Sequence, residues 1–247
     1  MAHQPFTRIV QDSDTAIVFV HGIVGTPDQF SHLLPLVPAD WSVDNLILPG
    51  HSGSVADFSH SSMAQWRSYV SKRVDALSAT HRRILLVGHS MGTLFCIDES
   101  LRLPEQVCGL FLMASPLRIG LHLSAITQAL QVAFGIEGRT AAQRAAKAAS
   151  SIHTSWKLWQ YLGWIPRYLE LFAASKAGRA QITQVQTPCV AVQSQHDEMV
   201  SRRSCQALSA LPSLQLHILP HSRHFYYPPE DLPLLQQYFR DFCAQYE

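Results

Sequence analysis

The chain has 247 residues, 47% of them hydrophobic, and a formal charge of +1 from 19 Lys and Arg against 18 Asp and Glu. That is enough for one well-buried core, and a single α/β domain over 1–247 is expected. The balanced charge, without a dense basic run, excludes the electrostatic footprint of a nucleic-acid binder, and no apolar stretch reaches the roughly 20 residues needed to span a bilayer.

From the N-terminus, residues 1–11 carry neither a charged start followed by an apolar run nor a small-residue cleavage site, so a soluble, cytoplasmic protein is expected. Short runs rich in Val, Ile and Leu then alternate with longer segments of helical period. The runs at 16–20, 43–48, 84–87, 109–113, 189–193 and 216–219 read as strands, and 29–36, 64–79, 92–101, 202–210 and 232–244 as helices. Such a β, α, β, α order predicts a mostly parallel, doubly wound sheet with helices on both faces. The stretch 117–185 breaks the alternation, with Ala-rich and aromatic helical sequence at 140–151 and 156–172 and no strand. It is expected to be a helical lid inserted over the sheet's carboxyl edge. The five cysteines (Cys96, Cys108, Cys189, Cys205, Cys243) are scattered, without a CxxC pair, and read as reduced packing residues with no metal site.

The strongest chemical signal is Gly88-His89-Ser90-Met91-Gly92, which follows the run 84–87 and opens a helical segment. A serine hydroxyl is a weak nucleophile at neutral pH and must project from a sharp strand-to-helix turn towards a base, a turn that tolerates only small residues two places either side. Earlier, Phe19-Val20-His21-Gly22 runs a strand into a His-Gly turn followed by Ile23. Acyl transfer develops charge on a carbonyl oxygen, and the backbone N–H groups of Ile23 and Met91 are the expected oxyanion donors.

An acid and a histidine must follow the serine, in that order. Asp197 lies four residues beyond the strand 189–193, with Glu198 beside it as a possible substitute. After the last strand come His221 and His224, of which His224 lies deeper in the loop and is the expected base. Asp98 and Glu99 fall on the helix after Ser90, pointing away from these loops, and are read as structural.

The series HGIVGTP, LPGHSGS, GHSMG, QSQHDEMV and SRHF resembles the α/β-hydrolase superfamily, closest to its bacterial carboxylesterase and monoacylglycerol-lipase branch. The resemblance runs from about residue 16 to the C-terminus. It implies Ser90 as nucleophile, Asp197 as acid, His224 as base, Ile23 and Met91 as oxyanion donors, and no cofactor. Gln193-Ser194 stand where the family commonly has a glycine, and Arg223 where its loop histidine usually follows Ser-Gly. His51 falls in a loop near the family's pocket and is read as structural, with substrate contact as the alternative. The expected activity is hydrolysis of small lipophilic acyl esters or monoacylglycerols; the same triad also serves C–C hydrolases, thioesterases and acyltransferases, and the fold can act as a non-catalytic ligand-binding module. Trp156, Trp159, Trp164, Tyr168 and Phe172 either line an acyl site or pack the lid.

Overall fold

A computed structural model describes residues 3–120, 138–150 and 152–247. Its framework is a seven-stranded sheet of β1 (Phe6–Arg8), β2 (Thr15–Val20), β3 (Ser42–Asn45), β4 (Arg83–His89), β5 (Val107–Met113), β6 (Cys189–Ser194) and β7 (Leu214–Leu219) in the order β1-β3-β2-β4-β5-β6-β7. Every pairing is parallel except that of β1 with β3. β1 has no sequence signal beyond three residues of alternating character. Arg8 anchors it from outside the ladder, its guanidinium donating to the Pro38 and Trp41 carbonyls.

The central strands are apolar on both faces because both are covered, which is why they read as continuous runs rather than alternations. Alternate residues sort into two cores. Val18, Val20, Leu86, Leu112 and Ala191 face α2 (Met63–Ser78) and α3 (Met91–Arg102). Ile17, Phe19, Leu85, Val87 and Phe111 face Phe30, Leu33 and the C-terminal helix, contributing Phe239 and Phe242. Each such fully buried side chain is worth about 1.5–3 kcal/mol relative to exposure.

Two expected elements are shorter than their apolar runs. The run 29–36 is not a helix but two 3₁₀ turns, Pro27–Phe30 and Leu34–Leu36, because Pro35 lacks the N–H an α-helix would need. The run 43–48 leaves the ladder after Asn45, since the Leu48 N–H donates to the His21 ring at 3.0 Å. An unanticipated helix, α1 (Val55–His60), is nucleated by a capping box in which Ser54 and Asp57 exchange hydrogen bonds.

Within the inserted stretch, α4 (Ala141–Ala148) starts at a Thr140–Gln143 capping box inside the expected 140–151. The expected helix 156–172 is instead a 3₁₀ turn, Leu158–Gly163, followed by α5 (Trp164–Gln181). Pro166 fits the first turn of α5, whose early N–H groups need no helical partner, and the Ala-rich sequence carries the helix beyond Phe172. Residues 121–137 of the expected lid, and Ser151 of the expected helix 140–151, lie outside the described residues. α5 is seated on loops at the carboxyl ends of the strands: Trp164 Nε1 donates to the Val55 carbonyl, Arg179 to that of Leu117 and Ser175 to that of Pro116, and Glu170 accepts from the Met63 N–H. The chain closes with α6 (Arg203–Leu208) and α7 (Leu232–Ala244). Among the described residues no helix is long and apolar enough to cross a membrane.

Candidate active site

β2 and β4 are neighbours, yet the chain leaves β2 for β3 on one side and reaches β4 on the other, so the connections diverge at their carboxyl ends and leave a crevice there. Ser90 stands at that point. It follows β4 directly, with φ 53° and ψ −123°, and Met91 begins α3. A non-glycine residue at positive φ is strained by on the order of 1–3 kcal/mol and persists only where its surroundings hold it. The Ser90 N–H donates to the Met113 carbonyl at 2.9 Å, and the Ser90 carbonyl accepts from the Thr93 N–H and hydroxyl. The turn leaves no room beside it: a Cβ on Gly92 would lie 1.9 Å from the Val20 oxygen, and one on Gly88 2.7 Å from Thr93 backbone atoms. Both glycines of the motif are therefore required by contact.

The loops after β6 and β7 bring the other expected residues to this serine. His224 Nε2 lies 3.1 Å from Ser90 Oγ, and His224 Nδ1 lies 2.8 Å from Asp197 Oδ2. A carboxylate at Nδ1 fixes the proton there, so Nε2 is left to accept from the serine hydroxyl. Asp197 Oδ1 in turn accepts from the Met199 and Val200 N–H groups, each at 2.8 Å. Burial is the largest influence on His224 and favours its neutral form, but the Asp197 charge, the hydrogen bond to it and the Glu198 charge outweigh burial and raise its pKa above the ordinary value. For Asp197, burial works towards protonation; the facing imidazole and the two backbone donors prevail and lower its pKa.

His221, the competing histidine, is exposed, and its N–H donates to Asp231. Arg223 is also exposed, and only its backbone takes part, its carbonyl accepting from Ser194 Oγ at 3.0 Å. The glycine usual at that position is therefore not needed. Glu198 is buried but turns away from the Nδ1 position; its Oε2 faces the His224 N–H at 3.4 Å while Oε1 has no partner. Asp98 and Glu99 pair with Arg67 and Arg102 at α2 and α3, remote from the serine.

The two expected oxyanion donors lie at the ends of adjacent strands. Met91 N–H is the first amide of α3, at the positive end of the helix. Ile23 follows Gly22, whose hypothetical Cβ would come within 2.9 Å of Ser90 Cβ, so the two turns touch. Among the described residues neither N–H has a protein acceptor. The turn carrying Ile23 is held by two neutral imidazoles. His21 Nδ1–H donates to the Gly22 carbonyl at 2.8 Å while Nε2 accepts from Leu48, and His51 Nε2 accepts from the Val24 N–H at 3.1 Å. Burial lowers the His21 pKa to about 4 and that of His51 well below the ordinary value, so both stay able to accept. Val24 is itself at φ 57°, costly for a β-branched side chain.

Two supporting residues went unread in the sequence. His89 donates from Nε2 to the His224 carbonyl at 3.0 Å, and its ring lies 5.1 Å from that of His224, with burial lowering its pKa to about 3. Asp231 occupies the N-cap position of α7, where a carboxylate ordinarily accepts from the helix's own amides; here it accepts from the Ser222 hydroxyl and the His221 N–H at 2.7 and 2.8 Å and so ties down the loop of His224. No local pattern distinguishes that use from a cap.

The expected aromatics divide. Trp164 and Tyr168 pack on the core, Trp164 with its ring 4.8 Å from that of Phe58, whereas Trp156, Trp159 and Phe172 are exposed. Among the described residues no three His, Cys, Asp or Glu side chains are grouped as a metal site.

Solved structures share this architecture along its whole length. The chain is similar to one from a study of LipS and LipT, two metagenome-derived lipolytic enzymes, with a TM-score of 0.75 and 16% identity over 99% of this chain and 98% of that one. It is also similar to the monoacylglycerol lipase of Paleococcus ferrophilus, at a TM-score of 0.71 and 15% identity over all of both chains. A structure from a study of Nitrososphaera gargenis carboxylesterases follows, at 0.68 and 13%, covering 98% of this chain and 96% of that one. No curated protein matches in sequence. Residues 17–235 match the model of the alpha/beta hydrolase family, and the chain, with its mostly parallel sheet and strand-to-helix turn at Ser90, belongs to that family.

Proposed function

We propose that the protein is a serine carboxylic-ester hydrolase acting on small lipophilic acyl esters or monoacylglycerols, with Ser90, His224 and Asp197 as its triad. The observation that carries this reading is the contact chain Ser90 Oγ–His224 Nε2 at 3.1 Å and His224 Nδ1–Asp197 Oδ2 at 2.8 Å, based on a strained turn. Ser90 Oγ attacks the ester carbonyl as His224 Nε2 takes its proton, and Asp197 stabilises the resulting imidazolium. The oxyanion is held by the Met91 and Ile23 N–H groups. His224 then gives the proton to the departing alcohol, leaving Ser90 acylated; water, deprotonated by the same imidazole, releases the acid. No metal or organic cofactor enters this cycle. We further read 1–247 as a single domain in which 117–185 forms the lid.

Lipolytic and carboxylesterase structures among the similar ones support the ester as the scissile bond. The test is a panel of nitrophenyl esters of increasing chain length, a monoacylglycerol, an acyl thioester and a C–C diketone, with the Ser90→Ala protein as blank. Oxygen esters of short to medium chain are expected to give the highest kcat/KM. Preference for the thioester or the diketone would overturn the substrate class while leaving the triad in place.

A further inference from the structure

Away from Ser90, a cleft of about 270 Å³ opens between α5, the loop after β5 and the loop leading into α6. α5 contributes Phe172, Ser175, Lys176 and Arg179, which helical spacing of three and four residues puts on one face. Arg118 and Ile119 come from the second element, Ser201 and Arg203 from the third. Four cations therefore face one concavity in a chain whose total charge is only +1, and among the described residues no carboxylate lines it. Among the described residues none of the four forms an ion pair. Charged runs are usually solvated convex faces. Here like charges converge on one open cleft, an arrangement that is repulsive in itself and focuses a positive field on whatever enters.

The cleft is also built rather than incidental. Arg179 Nη1 donates to the Leu117 carbonyl at 2.9 Å, which aims its guanidinium, and Ser175 Oγ is fixed on the Pro116 carbonyl. The two loops are zipped together: the Gly120 N–H donates to the Met199 carbonyl at 3.0 Å, the Ser201 N–H to that of Arg118 at 2.9 Å, and the Ser204 hydroxyl accepts from the Arg118 N–H and donates to the Arg118 carbonyl. Phe172 and Ile119 add apolar wall. We propose that this cleft is a binding site for a ligand carrying an anionic group, phosphate or carboxylate, on a short apolar chain. Arg118, Lys176, Arg179 and Arg203 hold the anion, and Phe172 and Ile119 take the chain. Ser201, which lines the cleft, directly follows Met199 and Val200, whose N–H groups hold Asp197.

Calorimetric titration of the full chain at low ionic strength tests this without reference to turnover. Hexyl phosphate and heptanoate are the two anionic probes, inorganic phosphate removes the chain, and hexyltrimethylammonium reverses the head group. The anionic amphiphiles should bind, the tighter of the two identifying the head group; inorganic phosphate should bind more weakly, the ammonium not at all, and added salt should weaken binding. Arg118→Glu with Arg203→Glu, both at exposed positions, should reduce affinity on the order of tenfold or more, and the milder Gln pair by less, with melting temperatures confirming folded protein. Undiminished affinity in both charge variants, or equal binding of the ammonium, would overturn the proposal.

Discussion

The carboxyl edge of the sheet and the inserted segment at 138–185 are held by different means. At the edge, His224 is constrained on every side, by Ser90 and Asp197 at its ring nitrogens, by His89 at its carbonyl and by Glu198 at its N–H, all from within the core. In the inserted segment α5 is seated along one face, a seam through Trp164, Arg167, Glu170 and Ser175, while the stretch before it is joined to the body at Ala149 and His153, and the outward residues Trp159, Leu162 and Leu169 are 67%, 65% and 62% exposed. Groups that must be positioned to a few tenths of an ångström are buried and bonded more than once, whereas the outward residues carry no such constraint. Substitutions at the edge should therefore act on rate, those in the seam on stability, and those on the outer face on neither.

The largest effect separates the two loop histidines. His224→Ala is expected to lower ester turnover on the order of 10³-fold or more, and His221→Ala by less than about tenfold, with both proteins folded. In the wild type the rate should rise with pH as His224 loses its proton, since the base works only when neutral. Because the pKa of His224 is raised, the midpoint should lie above the ordinary 6.5. A larger loss in His221→Ala, or a midpoint below that value, would break the contrast.

Smaller effects sharpen the seam against the outer face. Trp164 packs on Phe58 and donates to Val55, so Trp164→Ala should cost about 2–4 kcal/mol in a denaturant titration. Trp159→Ala should change stability by no more than about 0.5 kcal/mol. Equal losses from the two would mean that the segment is held on both faces.

The same contrast explains what was legible in the sequence. Ser90 announces itself because a strained turn between strand and helix admits only glycine at positions 88 and 92. Asp197 and His224 follow because chain order and strand ends leave few places for them. The central strands could be read from their apolar runs, as both faces are buried. By contrast, β1 depends on pairing with a distant strand, and the 3₁₀ turn Leu158–Gly163 has an aromatic sequence that a helix would accept equally. His89 and Asp231 were unreadable for another reason: their partners, His224 and Ser222, are set by the fold, and nothing adjacent in sequence marks them.

The most direct test of the triad is covalent. A fluorophosphonate mimics the tetrahedral intermediate and reacts only with a serine activated by a neighbouring base. One adduct per chain, mapped by mass spectrometry to Ser90, absent from the Ser90→Ala protein and strongly slowed in His224→Ala, is the predicted result. An adduct on another residue, or labelling that survives Ser90→Ala, would contradict it.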